Sequence, residues 1–217
     1  MTVHRFDTSN SLLNTFIAEI RDTQIQKDAM RFRRNIERIG EVLAYEMSKT
    51  LGCKFTAVKT PLGSKETSLY ADNLVLCSVL RAGLPLHQGL LNYFDGAENA
   101  FISAFRHHPN GDDDFDVIVK YLAAPKLTGK TLVLTDPMLA TGKTLENVLK
   151  ALSAHGKPEK IHIISVIGSQ AGIAHVQKIF PSETQLWIAA IDDELNSKGY
   201  IVPGLGDAGD LAYGEKL

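Results

Sequence analysis

The chain has 217 residues, 44% of them apolar and 22% charged, with a formal net charge of −2. That length fits one globular domain, able to bury a core without disulfides or metals. Near-neutral charge and the absence of a long Lys/Arg run weigh against a protein built to grip nucleic acid or an anionic membrane, so a small molecule is the expected partner.

From the start of the chain, Met1–Asp7 lacks a basic patch followed by an apolar core, and nowhere do about 18 apolar residues run together. A reducing cytoplasm is the expected compartment. With Ser9 and Asn10 as caps, Leu12, Leu13, Phe16, Ile17 and Ile20 recur at helical spacing, and Phe32, Ile36, Ile39, Leu43 and Met47 do so again. The first fifty residues therefore read as helical. Residues 52–72 break into short β-prone pieces, Lys54–Val58 and Ser68–Tyr70, around Pro61-Leu62-Gly63. They read as an arm outside the main sheet, placed to contact a second copy. Cys53 and Cys77 form no C-x-x-C pair and are expected to be plain thiols rather than a disulfide or a zinc site.

Four or five apolar runs too short for helices follow: Leu74–Leu80, Ala100–Phe105, Thr131–Thr135, Ile161–Ile167 and Leu186–Ile191. Continuous rather than alternating apolar character predicts strands covered on both faces, hence an α/β fold with a mostly parallel sheet flanked by helices. Between two of these runs Leu145, Val148, Leu149 and Leu152 mark one face of a helix that ends near His155-Gly156, which makes a βαβ unit. The segment from His107 to Asp114 reads as an exposed loop; His107 and His108 stand beside three aspartates, but without metal-ligand spacing.

The strand Thr131–Thr135 runs into Asp136-Pro137-Met138-Leu139-Ala140-Thr141-Gly142-Lys143-Thr144, and helical periodicity begins directly afterwards. Free amides and the positive end of a helix dipole suit a phosphate there, with Thr141 or Thr144 as candidate caps. Gly142-Lys143-Thr144 imitates the end of a nucleoside-triphosphate P-loop, but Pro137 stands where that motif needs its first glycine. Near the other end, Gly204-Leu205-Gly206-Asp207-Ala208-Gly209 spells a dinucleotide fingerprint. Pro203 precedes it and eight residues follow, which leaves no room for the required helix and second strand. A tight, backbone-rich loop able to press on a flat ligand is the alternative.

Taken together, Arg31-Phe32-Arg33, Val79-Leu80-Arg81-Ala82-Gly83, the Asp136–Gly142 run and the string from Gly199 to Asp210 resemble the uracil phosphoribosyltransferases, within the type I phosphoribosyltransferases. The resemblance implies one domain over residues 1–217, with the arm at 52–72 and a uracil-binding tail at 195–217. It implies a transfer from phosphoribosyl diphosphate (PRPP) to uracil that gives UMP. Arg81 and Arg106 would hold the diphosphate, Asp136 the ribose hydroxyls, and residues Pro137, Met138, Leu139, Ala140, Thr141, Gly142, Lys143 and Thr144 the 5-phosphate. Ile201, Gly206, Asp207 and Ala208 would form the uracil site, with Asp207 also facing PRPP. Arg106, Asp136 and Asp207 are the catalytic candidates. Mg2+ would arrive with the diphosphate, no resident metal site is expected, GTP is a candidate effector, and a homodimer or higher homo-oligomer is expected. Lys143 replaces a glycine and Thr144 a serine usual in that family, and Gly168–Ile173 replaces a segment that typically reads Ala-Ala-Pro-Glu-Gly-Ile. Rival readings are a nonenzymatic, nucleotide-sensing RNA-binding regulator on the same fold, a P-loop-type nucleoside kinase, and purine or orotate transfer.

Overall fold

The computed structural model describes residues 1–107 and 116–216, and the side chains within them other than those of residues 104–119. In chain order the elements are β1 (Thr2–Arg5), α1 (Leu12–Arg21), α2 (Ala29–Ser48), β2 (Cys53–Thr60), β3 (Gly63–Tyr70), β4 (Leu74–Leu80), α3 (Gly83–Leu91), β5 (Glu98–His107) and β6 (Asp116–Ala123). They continue with β7 (Thr131–Thr135), β8 (Met138–Leu139), α4 (Lys143–Leu152), β9 (Lys160–Ser169), α5 (Gln170–Ile179), β10 (Gln185–Asp192), β11 (Glu194–Leu195), β12 (Ile201–Val202) and α6 (Ala208–Tyr213).

The main sheet has the order β1-β10-β9-β7-β4-β5-β6, with β8 paired to β9. Every pairing in it is parallel except β5 with β6. All five apolar runs are strands of this sheet, and the pleat explains why they read as continuous. Leu74 and Leu76 of β4, Val133 of β7, Ile164 and Val166 of β9, and Trp187 and Ala189 of β10 face the cluster built on α1, α2 and α3. Their sequence neighbours, Val75 and Cys77, Leu132 and Leu134, Ile161 and Ile163, Leu186 and Ile188, face the cluster of α4 and α5. Successive side chains point to opposite faces, and here both faces are dry. Burial pushes the Cys77 thiol up to about 12, while Cys53 is exposed on the arm.

The N-terminal reading needs correction in two places. Thr2–Arg5 is not helical but an edge strand paired with Gln185–Ile188. A four-residue segment carries too short a pattern to show its period, and the pairing partner lies at the other end of the chain. The cap of α1 is Ser11 rather than Ser9 or Asn10: its hydroxyl accepts from the Leu13 amide at 3.2 Å. Residues 53–70 form the expected hairpin, β2 against β3, as a two-stranded sheet of its own. The helix after the Asp136 loop, α4, is capped at its far end by a 3-10 turn through His155.

Buried His162 on β9 accepts the Trp187 indole N–H at its Nδ1, 3.1 Å away. Burial, helped by the Lys160 charge and His4 and opposed by Asp72, pushes its pKa from 6.5 down to about 4. The unfolded chain therefore takes up a proton near pH 6.5 that the folded chain refuses until about pH 4. Stability is intact above that window and falls as pH drops through it, by on the order of 3 kcal/mol in all. Urea midpoints at pH 7 and pH 4.5 check this: His162→Gln should lose roughly 2 kcal/mol less than the wild type between those two values.

Candidate active site

From β4 the chain moves outward to β5 on one side, then returns to the other side of β4 with β7, β9 and β10. In an open α/β sheet the crevice beyond the strand ends at such a reversal is where ligands bind. The two loops leaving β4 and β7 are Arg81-Ala82-Gly83 and Asp136–Gly142. Their bases stand close together: a Cβ added at Gly83, where α3 begins, would lie 2.9 Å from the carbonyl oxygen of Thr135, where β7 ends.

The Asp136 loop is stitched to β9 along its length. The Asp136 amide donates to the Ile164 carbonyl at 3.1 Å, and the Pro137 carbonyl accepts from the amides of Val166 and Ile167 at 3.1 and 3.0 Å. Ser165 Oγ donates to the Asp136 carbonyl at 2.7 Å. Ser169 caps α5 by accepting the Gly172 amide and donates to the Ala140 carbonyl at 2.6 Å. The unusual Gly168–Ile173 segment thus supplies its own cap, and that cap also holds the loop.

Asp136, Met138, Leu139, Ala140, Thr141, Gly142, Thr144 and Leu145 line a pocket of about 250 Å³, its open mouth included. Pro137 and Lys143 are not among the lining residues. Helix α4 starts at Lys143 with Gly142 as N-cap at φ 79°, so neither threonine caps it. First-turn amides of a helix have no carbonyl to take them within it, and with the dipole they favour an anion. Lys143 is the first residue of the right-handed helix α4, and among the described residues no non-glycine residue has positive φ, so its side chain costs the backbone nothing there. Helix α4 is latched to α5 by His175 Nε2, 2.8 Å from Glu146 Oε2.

The tail packs against the Arg81 loop. Asp207 caps α6, its Oδ1 accepting the amides of Gly209 at 2.8 Å and Asp210 at 3.0 Å, while Oδ2 faces Lys216 Nζ at 3.1 Å. After Gly206 the tail folds into one short helix, α6. Burial pushes the Asp207 carboxyl upward, but the Asp210 amide, the Lys216 ammonium and the Gly209 amide together hold it below its ordinary value. Ile201 and Ala208 are buried, and Gly206 is exposed.

Arg81 joins the two halves. Its Nη2 donates to Asp210 Oδ1 at 2.9 Å and to the Gly214 carbonyl at 3.2 Å. Arg33 donates to the Ala212 carbonyl at 2.6 Å, so the Arg31–Arg33 motif also reaches the tail, while Phe32 enters the core. Ala140, Met138 and Ala82 share one apolar cluster with Ile201, Leu205, Ala208 and Ala212 of the tail. The Arg81 segment is thus bonded to the tail, and apolar residues of the Asp136 loop and of the tail belong to one buried cluster. Arg106 pairs through its backbone with Val117 in the β5–β6 ladder, and His107, expected to open the loop, is instead the last residue of β5; the Arg106 side chain and residues 108–114 of that loop lie outside the described part.

The chain matches the family model for uracil phosphoribosyltransferase over residues 8–215. The chain belongs to the uracil phosphoribosyltransferase family. A member from Porphyromonas gingivalis is 52% identical over 217 residues, covering 100% of both chains. Another from Pyrococcus furiosus is 37% identical, with 99% of this chain and 91% of that one aligned. Among solved structures, the AQ2163 protein of Aquifex aeolicus superposes with a TM-score of 0.85 at 30% identity, over 97% of this chain and 98% of that one. Membership covers both the Asp136 loop and the tail, so the kinase and regulator readings are left without support. Sequence reasoning missed Ser165 and Ser169, the hydroxyls that hold the loop from beneath. Their only local mark is a serine inside or just after an apolar run.

Proposed function

We propose that the chain transfers the 5-phosphoribosyl group of PRPP to N1 of uracil, giving UMP and diphosphate in pyrimidine salvage. One observation carries this reading: the pocket lined by the Asp136–Thr144 turn stands at the reversal of the sheet, where Arg81 on the neighbouring loop is bonded to Asp210 of the glycine-rich tail. The 5-phosphate sits on the amides and hydroxyls of Thr141, Gly142 and Thr144. Asp136 receives the ribose hydroxyls. Arg81, with Arg106, takes the diphosphate, since guanidinium forks match phosphate oxygens and stay charged. Ile201, Gly206 and Ala208 read uracil by backbone groups.

In the reaction the C1–O bond breaks with its electron pair leaving on diphosphate, the N1–C1 bond forms, and the N1 proton passes to water. The chain's contribution is alignment and charge stabilisation on the leaving group; no residue is assigned as general base. Among the described residues no three of His, Cys, Asp and Glu converge as a metal cage. A Mg2+ carried by the diphosphate needs few protein ligands, and the Asp207 Oδ2 already faces a cation, the Lys216 ammonium. When bound, Mg2+ supplies neutralisation of the diphosphate oxygens.

The exposed Phe55, Leu62 and Leu69 of the arm support a homodimer or higher oligomer, and a cytoplasmic setting suits the substrates. The test is direct. Purified protein, labelled uracil, PRPP and Mg2+ should yield UMP, assayed with and without GTP as the candidate effector. No UMP in either condition from folded protein would overturn the assignment.

A further inference from the structure

Arg21 at the end of α1 and Asp192 at the end of β10 form a two-pronged ion pair, Nη1 to Oδ2 at 2.8 Å and Nη2 to Oδ1 at 2.7 Å. Both are largely shielded, with side-chain exposures of 22% and 9%. Such a pair is weak evidence for stability, because desolvating two charges offsets most of their attraction. What sets this one apart is what else it grips. The Gly204 amide donates to Asp192 Oδ2 at 3.1 Å, and the Gly204 carbonyl accepts from Arg21 Nη1 at 2.9 Å. The next carbonyl, Leu205, accepts from Gln26 Nε2 at 3.2 Å, and the same Gln26 amide group donates to the carbonyls of Ile20 and Arg21. Consecutive peptides of the tail are thus fixed by the end of α1 and the turn after it.

Those peptides lie between Ile201 and Gly206, the two sides of the pyrimidine slot. A base read by backbone groups meets no side chain that could adjust to it, so the placement of the peptide planes sets how well the base is held. We propose that Arg21, Asp192 and Gln26 are positioning residues for the pyrimidine slot: they touch neither substrate and fix the Gly204–Leu205 peptides from which it is built. The inference rests on the uracil reading above. Lysine cannot replace Arg21, because one ammonium cannot hold both carboxylate oxygens and a carbonyl in a planar fork.

The experiment is steady-state kinetics with each substrate varied in turn, on the full chain, for wild type, Arg21→Lys and Gln26→Ala. Arg21→Lys should raise the uracil KM about tenfold or more, with the PRPP KM within about twofold. Gln26→Ala should shift the uracil KM in the same direction by about threefold. Hydrogen exchange supplies a readout apart from turnover: the Gly204 amide should exchange faster in Arg21→Lys while the β10 amides keep their protection. The proposal is overturned if both KM values rise together, or if the uracil KM stays within about twofold in a folded variant. Should Arg21→Lys fail to fold, Gln26→Ala decides alone. Wild type that makes no UMP would sink the uracil reading itself, whereas active wild type with unaffected variants would sink only the positioning role.

Discussion

Asp207→Asn should leave the protein folded and lower turnover by about a hundredfold or more. The carboxylate does two jobs with its two oxygens. Oδ1 accepts the Gly209 and Asp210 amides as the cap of α6, and Oδ2 presents negative charge to a cation. Asparagine caps a helix about as well as aspartate, so the first job survives. The second is lost outright, and in a partly desolvated site a missing charge weighs more than in water. Asp207→Ala removes both and should cost roughly 1 kcal/mol of further stability, a fall in Tm of about 2–4 °C. Thermal melts of the two variants beside their UMP-forming rates separate the roles. A wild-type rate in Asp207→Asn would remove Asp207 from the site.

The second large effect is expected at Gly172, in the first turn of α5. Helix propensity alone favours Ala over Gly there by up to about 1 kcal/mol. Packing reverses the sign. An added Cβ would lie 2.7 Å from the Leu139 carbonyl oxygen, 3.0 Å from the Ala140 carbonyl carbon and nearer still to the Ala140 carbonyl oxygen. These are backbone atoms of the pocket wall, which cannot rotate away, and overpacking of this kind typically costs 1–3 kcal/mol, about what it takes to displace the loop. Gly172→Ala should raise the PRPP KM roughly tenfold to a hundredfold and lower the Tm by several degrees, with the uracil KM much less affected. Gly96→Ala, where nothing stands within 4 Å of the new methyl, is the control. An unchanged PRPP KM in folded Gly172→Ala would show that the loop does not depend on this contact.

Much of this architecture is legible along the chain. The central strands announce themselves because both faces of each are buried, and α2 and α4 because one face of each is. Helix α3 hides behind Pro85 and two glycines, and it is apolar nearly all round because it is buried, so no amphipathic period marks it. Strand β6 follows the polar segment from His107 to Asp114 and is not among the apolar runs picked out along the chain, and β1 is four residues long. Short edge elements owe their state to the strand beside them, which local pattern does not encode.

The amino-acid order alone settles the α/β class, the arm, the strand-loop-helix passage at Asp136 and the glycine-rich tail, since each depends on residues close together in the chain. Tertiary structure decides how those pieces are held. Arg21 meets Asp192 across 171 positions, Arg81 meets Asp210 across 129, and Ser169 reaches back 29 residues to Ala140. Hydrogen bonds of this kind carry no period and no spacing rule. They exist only once the sheet has brought the carboxyl ends of its strands side by side, and there they turn two recognisable loops into one site.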